Sequence, residues 1–172
     1  LADVGGDDGL ALRERVEFIN DLLHAQAALF GGGIYEVKLG ATFSNASGGS
    51  ADGYMDYCSL GATSITLGQP ISVAIKTGTL VSENLRIYVD VNNDQVFTPA
   101  TELFFSSNNA KQHNGNITIS TGAIGQQVKM RITSDLITSS VLPGPCTTPE
   151  YSQVEDYAVV LTENTNPPVA RF

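Results

Sequence analysis

The 172-residue chain is long enough for one domain with a full hydrophobic core and too short for two large domains. Its 42% hydrophobic and 16% charged residues are typical of a folded domain and argue against disorder. Eighteen acidic residues against nine Lys and Arg give a net charge of -9, so the chain would repel a phosphate backbone and nucleic acid is not an expected partner.

The first predicted element is an amphipathic helix over residues 10–30. This segment contains no Gly or Pro, and residues 31–33 are three glycines that would end it. Its apolar residues recur at helical spacing, and they are Leu12, Val16, Ile19, Leu23 and Phe30. The helix either packs against its own or a preceding domain, or it binds a partner or a second copy of the chain.

Two further features concern the membrane and the start of the chain. No apolar run approaches the roughly 20 residues that a membrane-spanning helix needs, so no membrane span is expected. The chain begins neither with Met nor with a charged and then apolar leader, so we expect a processed chain or an excised piece.

From Ile34 onward, short alternating runs predict β-strands. The predicted strands span residues 34–40, 53–58, 63–67, 71–77, 85–91, 102–107, 116–120, 127–134 and 154–161. Connectors rich in Gly, Pro, Asn, Asp and Ser separate these strands. This pattern predicts an all-β fold, an antiparallel β-sandwich of the jelly-roll or Ig-like kind, preceded by one N-terminal amphipathic α-helix.

The chain is predicted to have three parts. Residues 1–33 form the helix and a glycine linker, residues 34–162 form the β-sandwich, and residues 163–172 form a linker or the start of a further β domain. The last part has lost the strand pattern and contains two prolines. A strand formed there would pair with another domain or another chain.

The two cysteines, Cys58 and Cys146, each lie in a predicted loop or at its border. A disulfide between them would close a long loop and stabilise the fold in an oxidising compartment. The alternative is a pair of unrelated buried thiols.

Catalytic motifs are absent from the sequence. Neither His24 nor His113 lies in an HExxH motif, and no GxSxG turn is present. We therefore expect a protein that is not an enzyme.

The strongest local signal is the stretch DVNNDQVFTPATE, which begins at Asp90. A calcium cage needs carboxylate and amide oxygens at alternate positions of a turning backbone and a later acidic residue. Asp90, Asn92 and Asp94 supply the alternate positions. The carbonyl of Val96 and the side chain of Glu102 complete the predicted ligand set. The alternative is a polar turn between two strands.

Glu155 and Asp156 stand at the head of the last predicted strand. Alternation along a strand sends their side chains to opposite faces. We include both in the predicted metal-ligand set. The alternative is a structural carboxylate beside Tyr157.

Three stretches together resemble the GEVED domain, a β-sandwich module of secreted bacterial proteins. The motif VEDY at residues 154–157 is similar to the family's closing motif, although SQVED stands where the family name spells GEVED. IYVDVNNDQVFTPATELFF resembles its central acidic stretch, and VKLGATFSNASGGSADGYMDY resembles its opening. The resemblance covers residues 34–162. It maps Asp90, Asn92, Asp94 and Glu102 onto the acidic loop, and Glu155 and Asp156 onto the closing motif.

This resemblance implies an accessory role beside proteases, other surface proteins and PKD-like domains. The first functional hypothesis is a non-catalytic, calcium-stabilised extracellular module that acts as a spacer or binds a protein or polysaccharide ligand. The second is a self-assembling surface or filament subunit that forms a homo-oligomer through the N-terminal helix or the C-terminal strand. The third is a carbohydrate-binding module.

Overall fold

The computed structural model describes residues 31–49 and 53–165. The predicted helix at residues 10–30 and the end of the chain from residue 166 lie outside the described residues. The strands are β1 (Glu36–Leu39), β2 (Phe43–Asn45), β3 (Tyr54–Asp56), β4 (Thr63–Thr66), β5 (Ile71–Lys76), β6 (Glu83–Val89), β7 (Leu103–Ala110), β8 (Gln112–Ile117), β9 (Gln127–Leu136) and β10 (Val154–Thr162). A 3-10 turn spans Cys58–Leu60 and a short helix, α1, spans Pro99–Glu102. Within the described residues, no helix has the length and apolar character that crossing a membrane requires.

The described strands form two sheets. The first sheet has the order β2-β1-β5-β8, and all its neighbours are antiparallel. The second sheet has the order β3-β10-β9-β6-β7, and β4 also pairs with β10. Strands β9, β6 and β7 pair in antiparallel fashion, as do β9 and β10.

The prediction of a wholly antiparallel fold is wrong at one edge of the second sheet. Both β3 and β4 run parallel to β10. They pair with successive parts of β10, so they form one edge interrupted by the 3-10 turn at Cys58–Leu60. Sequence alternation does not encode this direction, since the same side-chain pattern suits parallel and antiparallel neighbours.

One hydrophobic core lies between the two sheets. Apolar residues from the first sheet are buried against apolar residues from the second, and this burial stabilises the pair. The core includes Val37, Leu39, Val73, Ile75 and Ile117 from the first sheet, and Leu85, Ile87, Val89, Met130, Ile132, Tyr157, Val159 and Leu161 from the second. The described part of the chain is therefore a β-sandwich, as the sequence predicts.

The structure also corrects the predicted boundaries around residues 103–117. The polar stretch at 108–115, which lies between two predicted strands, belongs to the end of β7, the start of β8 and the single residue that joins them. These two strands lie at the edges of different sheets. An edge strand with one exposed face can be rich in Ser, Asn and Gln, because few of its side chains enter the core.

Candidate metal-binding loop and its surroundings

The acidic loop begins directly after β6 and turns around the carboxylate of Asp90. The backbone N–H of Asp90 still donates to the carbonyl of Lys129 in β9, at 2.9 Å. Its side chain is 2% exposed and accepts two backbone hydrogen bonds, from Asp94 at 3.1 Å and from Gln95 at 2.9 Å. One buried carboxylate thus fixes the path of the next five residues.

The rest of the loop is held by short-range polar contacts. Asn92 accepts from the backbone N–H of Asp94 at 3.1 Å, and Asp94 accepts from that of Val96 at 2.9 Å. The side-chain amide of Asn92 also donates to Asp94 at 2.8 Å. Asn93 and Gln95 adopt left-handed φ values of 57° and 68°. Gln95 therefore makes the turn that glycine commonly makes in such loops.

Glu102 closes the segment from α1. Its side chain is 1% exposed, and Oε2 accepts from the backbone N–H of Thr98 at 2.7 Å. Its other oxygen, Oε1, is buried and has no hydrogen-bond partner among the described residues. A buried carboxylate oxygen without a partner is costly, so it marks a place where a ligand or water would be stabilising.

The predicted ligands do not gather into one closed cage. In the described ranges 31–49 and 53–165, no three His, Cys, Asp or Glu side chains form a group that could hold a metal ion. The oxygens of Asn92 and the Val96 carbonyl are further donors of the kind that Ca²⁺ accepts. The loop therefore has suitable ligand types without an assembled coordination shell.

Asp156 is the counter-ion of two cations on the outer face of the second sheet. It is fully buried and binds Arg131 with both oxygens, each at 2.7 Å. Lys129 lies 3.1 Å from Oδ2, and the hydroxyl of Tyr54 donates to the same oxygen at 2.9 Å. The hydrogen bonds between Arg131 and Asp156 are the main cause that raises the pKa of Arg131. Since β9 separates β10 from β6, the structure does not bring Asp156 to the loop at Asp90.

The guanidinium of Arg131 also holds two other segments against the sheet. Its Cζ lies 5.0 Å from the ring centre of Phe97, in the segment after the acidic loop, and 5.7 Å from that of Tyr54. Its Nη1 donates to the carbonyl of Pro145 at 2.7 Å. Such contacts combine cation–π attraction with charge-assisted hydrogen bonds.

Glu155 lies on the opposite face of β10, so the predicted alternation is confirmed. Its Oε2 accepts from the hydroxyl of Tyr157 at 2.6 Å, inside the sandwich. Both side chains are nevertheless fully buried. Their positions on two faces of one sheet prevent them from binding the same ion together.

Both cysteines are free thiols, and both line one open cleft of about 510 Å³. The cleft lies over the outer face of β9, and Phe97 and Lys129 are among its lining residues. Burial, with help from a hydrogen bond to Asp56, raises the pKa of the Cys58 thiol to about 11. Cys146 is exposed. The fold thus places the two distant cysteines on one cleft.

Sequence reasoning missed the cationic partners of Asp156. Lys129 and Arg131 are two residues apart on a predicted strand, so alternation alone places both side chains on one face. That signal was available in the sequence. The sequence does not show that β9 pairs with β10, and it is this pairing that brings Arg131 opposite Asp156.

The fold and the acidic loop define a β-sandwich domain without a recognised catalytic motif. Residues 84–160 match the family model of the GEVED domain, so the resemblance seen in the sequence is confirmed for this range. The matched range contains the acidic loop and the VEDY motif.

The chain is similar to the PKD domain of an M14-like peptidase from Thermoplasmatales archaeon SCGC AB-540-F20, with a TM-score of 0.35 and 11% identity. That alignment covers 76% of this chain and 95% of the other. No curated protein matches the sequence.

Proposed function

We propose that this chain is a non-catalytic, calcium-stabilised β-sandwich module of a secreted or surface-exposed bacterial protein. The match to the GEVED domain supports an accessory role, because the resemblance implies such a role beside proteases and other surface proteins. In this proposal the ion stiffens the loop after β6, and the module acts as a spacer or a substrate-binding domain.

The unpartnered Oε1 of Glu102 is the observation that carries the calcium proposal. A buried carboxylate with an unused oxygen suits a hard cation that prefers oxygen ligands. Asp90, Asn92, Asp94 and the Val96 carbonyl would supply the other protein ligands. Glu155 and Asp156 are left out, because one lies inside the sandwich and the other binds Arg131 and Lys129.

Calcium is expected to stabilise the protein, and Glu102→Gln is expected to remove most of that effect. An ion at a hundred times its dissociation constant adds about 2.7 kcal/mol to the free energy of unfolding. For a chain of this size, that gain raises the melting temperature by about 5 to 10 °C. Differential scanning calorimetry of the wild type and the variant, with calcium and with chelator, measures the difference.

Glu163→Gln is the matched control, because it removes the same charge from an exposed position outside the loop. We expect the control to keep the full calcium effect. In chelator, Glu102→Gln should be as stable as the wild type, because glutamine keeps an oxygen for the N–H of Thr98. A wild-type melting temperature that saturating calcium leaves unchanged would contradict the proposal.

The proposal includes a disulfide between Cys58 and Cys146, formed during secretion. Its support is that both thiols line the same cleft. The raised pKa of Cys58 favours the exposed Cys146 as the sulfur that first attacks a disulfide oxidant. Cys58 then attacks the mixed disulfide, so one oxidant disulfide is reduced to two thiols as the protein disulfide forms.

Reduction is expected to destabilise the oxidised protein by about 4 to 5 kcal/mol, the loss of cross-link entropy for a loop of this length. Urea unfolding with and without reductant measures the change. The double variant Cys58→Ser/Cys146→Ser is the control, and reductant should not alter its stability. Labelling of both thiols in protein secreted into an oxidising compartment would show that no bridge forms.

The other two hypotheses stay predictions. Self-assembly depends on residues 10–30 and on the segment from residue 166, and both lie outside the described residues. Carbohydrate binding depends on a ligand that fold class alone does not identify.

A further inference from the structure

A row of polar side chains, which begins at the residue before β10 and continues on the inner face of that strand, connects the two sheets. Gln153, Glu155 and Tyr157 are alternate residues of this segment, and each is at most 1% exposed. The hydroxyl of Tyr157 donates to Glu155 Oε2 at 2.6 Å and accepts from the side-chain amide of Asn45, in β2, at 3.0 Å. The chain of contacts therefore runs from the second sheet to the first.

Glu155 has no cationic partner in this row. The hydroxyl of Tyr157 donates a hydrogen bond to its carboxyl group, and none of the three ion pairs found among the described residues includes it. The groups around it are uncharged: Tyr157 and Gln153 on its own side, Asn45 from the first sheet, Ser47 from the loop after β2, Ile132 opposite it on β9, and the ring of Tyr57 stacked on Tyr157.

Two buried atoms in the row also lack hydrogen-bond partners within the described part of the chain. They are Oε1 of Glu155 and Nε2 of Gln153. An unpartnered oxygen on an ionised carboxylate is far more costly than one on a neutral acid. The geometry therefore favours the neutral form of Glu155.

The neighbouring acid has the opposite environment. Asp156 is also fully buried, but Arg131 and Lys129 compensate its charge. Only one of these two adjacent buried acids therefore has a compensating charge, and the other must hold a proton or bear the cost of its ionisation.

We propose that Glu155 is a protonation switch, whose neutral form tightens the contact between the two sheets and whose ionised form loosens it. Burial raises the pKa of Glu155 from its ordinary 4.5 to about 7, in agreement with this geometry. The switch is distinct from the calcium loop, since Glu155 lies on the inner face of β10 and the loop follows β6.

The sign of the pH effect follows from the two pKa values. Below pH 4.5 Glu155 is protonated in the folded and the unfolded chain, and its full contribution to stability is present. As the pH rises toward about 7, the unfolded chain releases this proton first, so stability falls. Above that range both states are ionised, and the loss stays constant.

Unfolding by urea from pH 4.5 to pH 8.5, in chelator, tests the switch with the wild type, Glu155→Gln and the exposed control Glu163→Gln. Relative to Glu155→Gln, the wild-type unfolding constant should rise at least roughly tenfold across this range. Glu163→Gln should follow the wild type. His113 stays neutral over most of the range, because burial lowers its pKa to about 4.

Carbon-13 NMR of the Glu155 carboxyl group in the wild-type protein gives a second, direct measurement. A titration midpoint near neutrality supports the switch, and one near the ordinary value overturns it even if Glu155→Gln does not fold. Parallel pH curves for the wild type and Glu155→Gln would also overturn it. Chelator removes any contribution from the calcium site, so failure of one proposal leaves the other standing.

Discussion

Replacing Asp156 with alanine is expected to lower the free energy of unfolding by about 3 to 5 kcal/mol, because the change leaves a largely buried guanidinium without its counter-ion. Arg131 would lose both of its 2.7 Å bonds to the carboxylate. The guanidinium would then no longer be held in the position from which it contacts Phe97 and Pro145. Urea unfolding at neutral pH measures the loss.

Asp56→Ala is the matched control for this variant. Asp56 lies opposite Asp156 in the parallel pairing of β3 with β10, but its side chain is exposed and caps the backbone N–H of Cys58 at 2.9 Å. Loss of one exposed cap costs about 1 kcal/mol. Equal losses for the two variants would show that the buried ion pair contributes no more than a surface carboxylate.

The second large effect is expected from Glu83→Ala, which should cost about 3 to 5 kcal/mol by leaving buried donors unpaired. Glu83 is fully buried at the start of β6. Its Oε1 accepts from the backbone N–H groups of Gly33 and Gly78, both at 3.0 Å, and its Oε2 accepts from the hydroxyl of Ser152 at 2.6 Å. One carboxyl group therefore joins three separate segments to β6.

Glu83→Gln separates the hydrogen bonds from the charge. Glutamine keeps an oxygen for the two backbone donors, and its amide can donate to the Ser152 hydroxyl. Burial raises the pKa of Glu83, so removal of the charge also relieves a desolvation cost. We expect this variant to lie within about 1 kcal/mol of the wild type. Similar losses for alanine and glutamine would contradict the hydrogen-bonding account.

The strands whose apolar residues alternate regularly with polar ones could be predicted closely from the sequence. The predicted ranges 71–77 and 127–134 correspond to β5 and β9, whose core-facing residues alternate in a clear pattern. The short β2 and the helix α1 were missed, since three or four residues are too few for a periodic signal. Local patterns thus identify the strands that build the core better than those that border it.

The candidate site, too, could be predicted from the sequence only where its residues lie close together along the chain. The spacing of Asp90, Asn92 and Asp94 identifies the acidic loop, because those residues lie close together in sequence. The partners of Asp156 depend on the register between β9 and β10, which no local pattern contains. The buried environment of Glu155 depends likewise on contacts from the first sheet.

The parallel edge formed by β3 and β4 also constrains when this domain can fold. Both strands come from the first half of the chain, and both pair with β10, whose last residue is Thr162. On the ribosome they have no partner until synthesis has passed that residue, and closing such long loops is slow. The second sheet is therefore completed only late in synthesis, and until then the apolar faces of both sheets are open to chaperones and to aggregation.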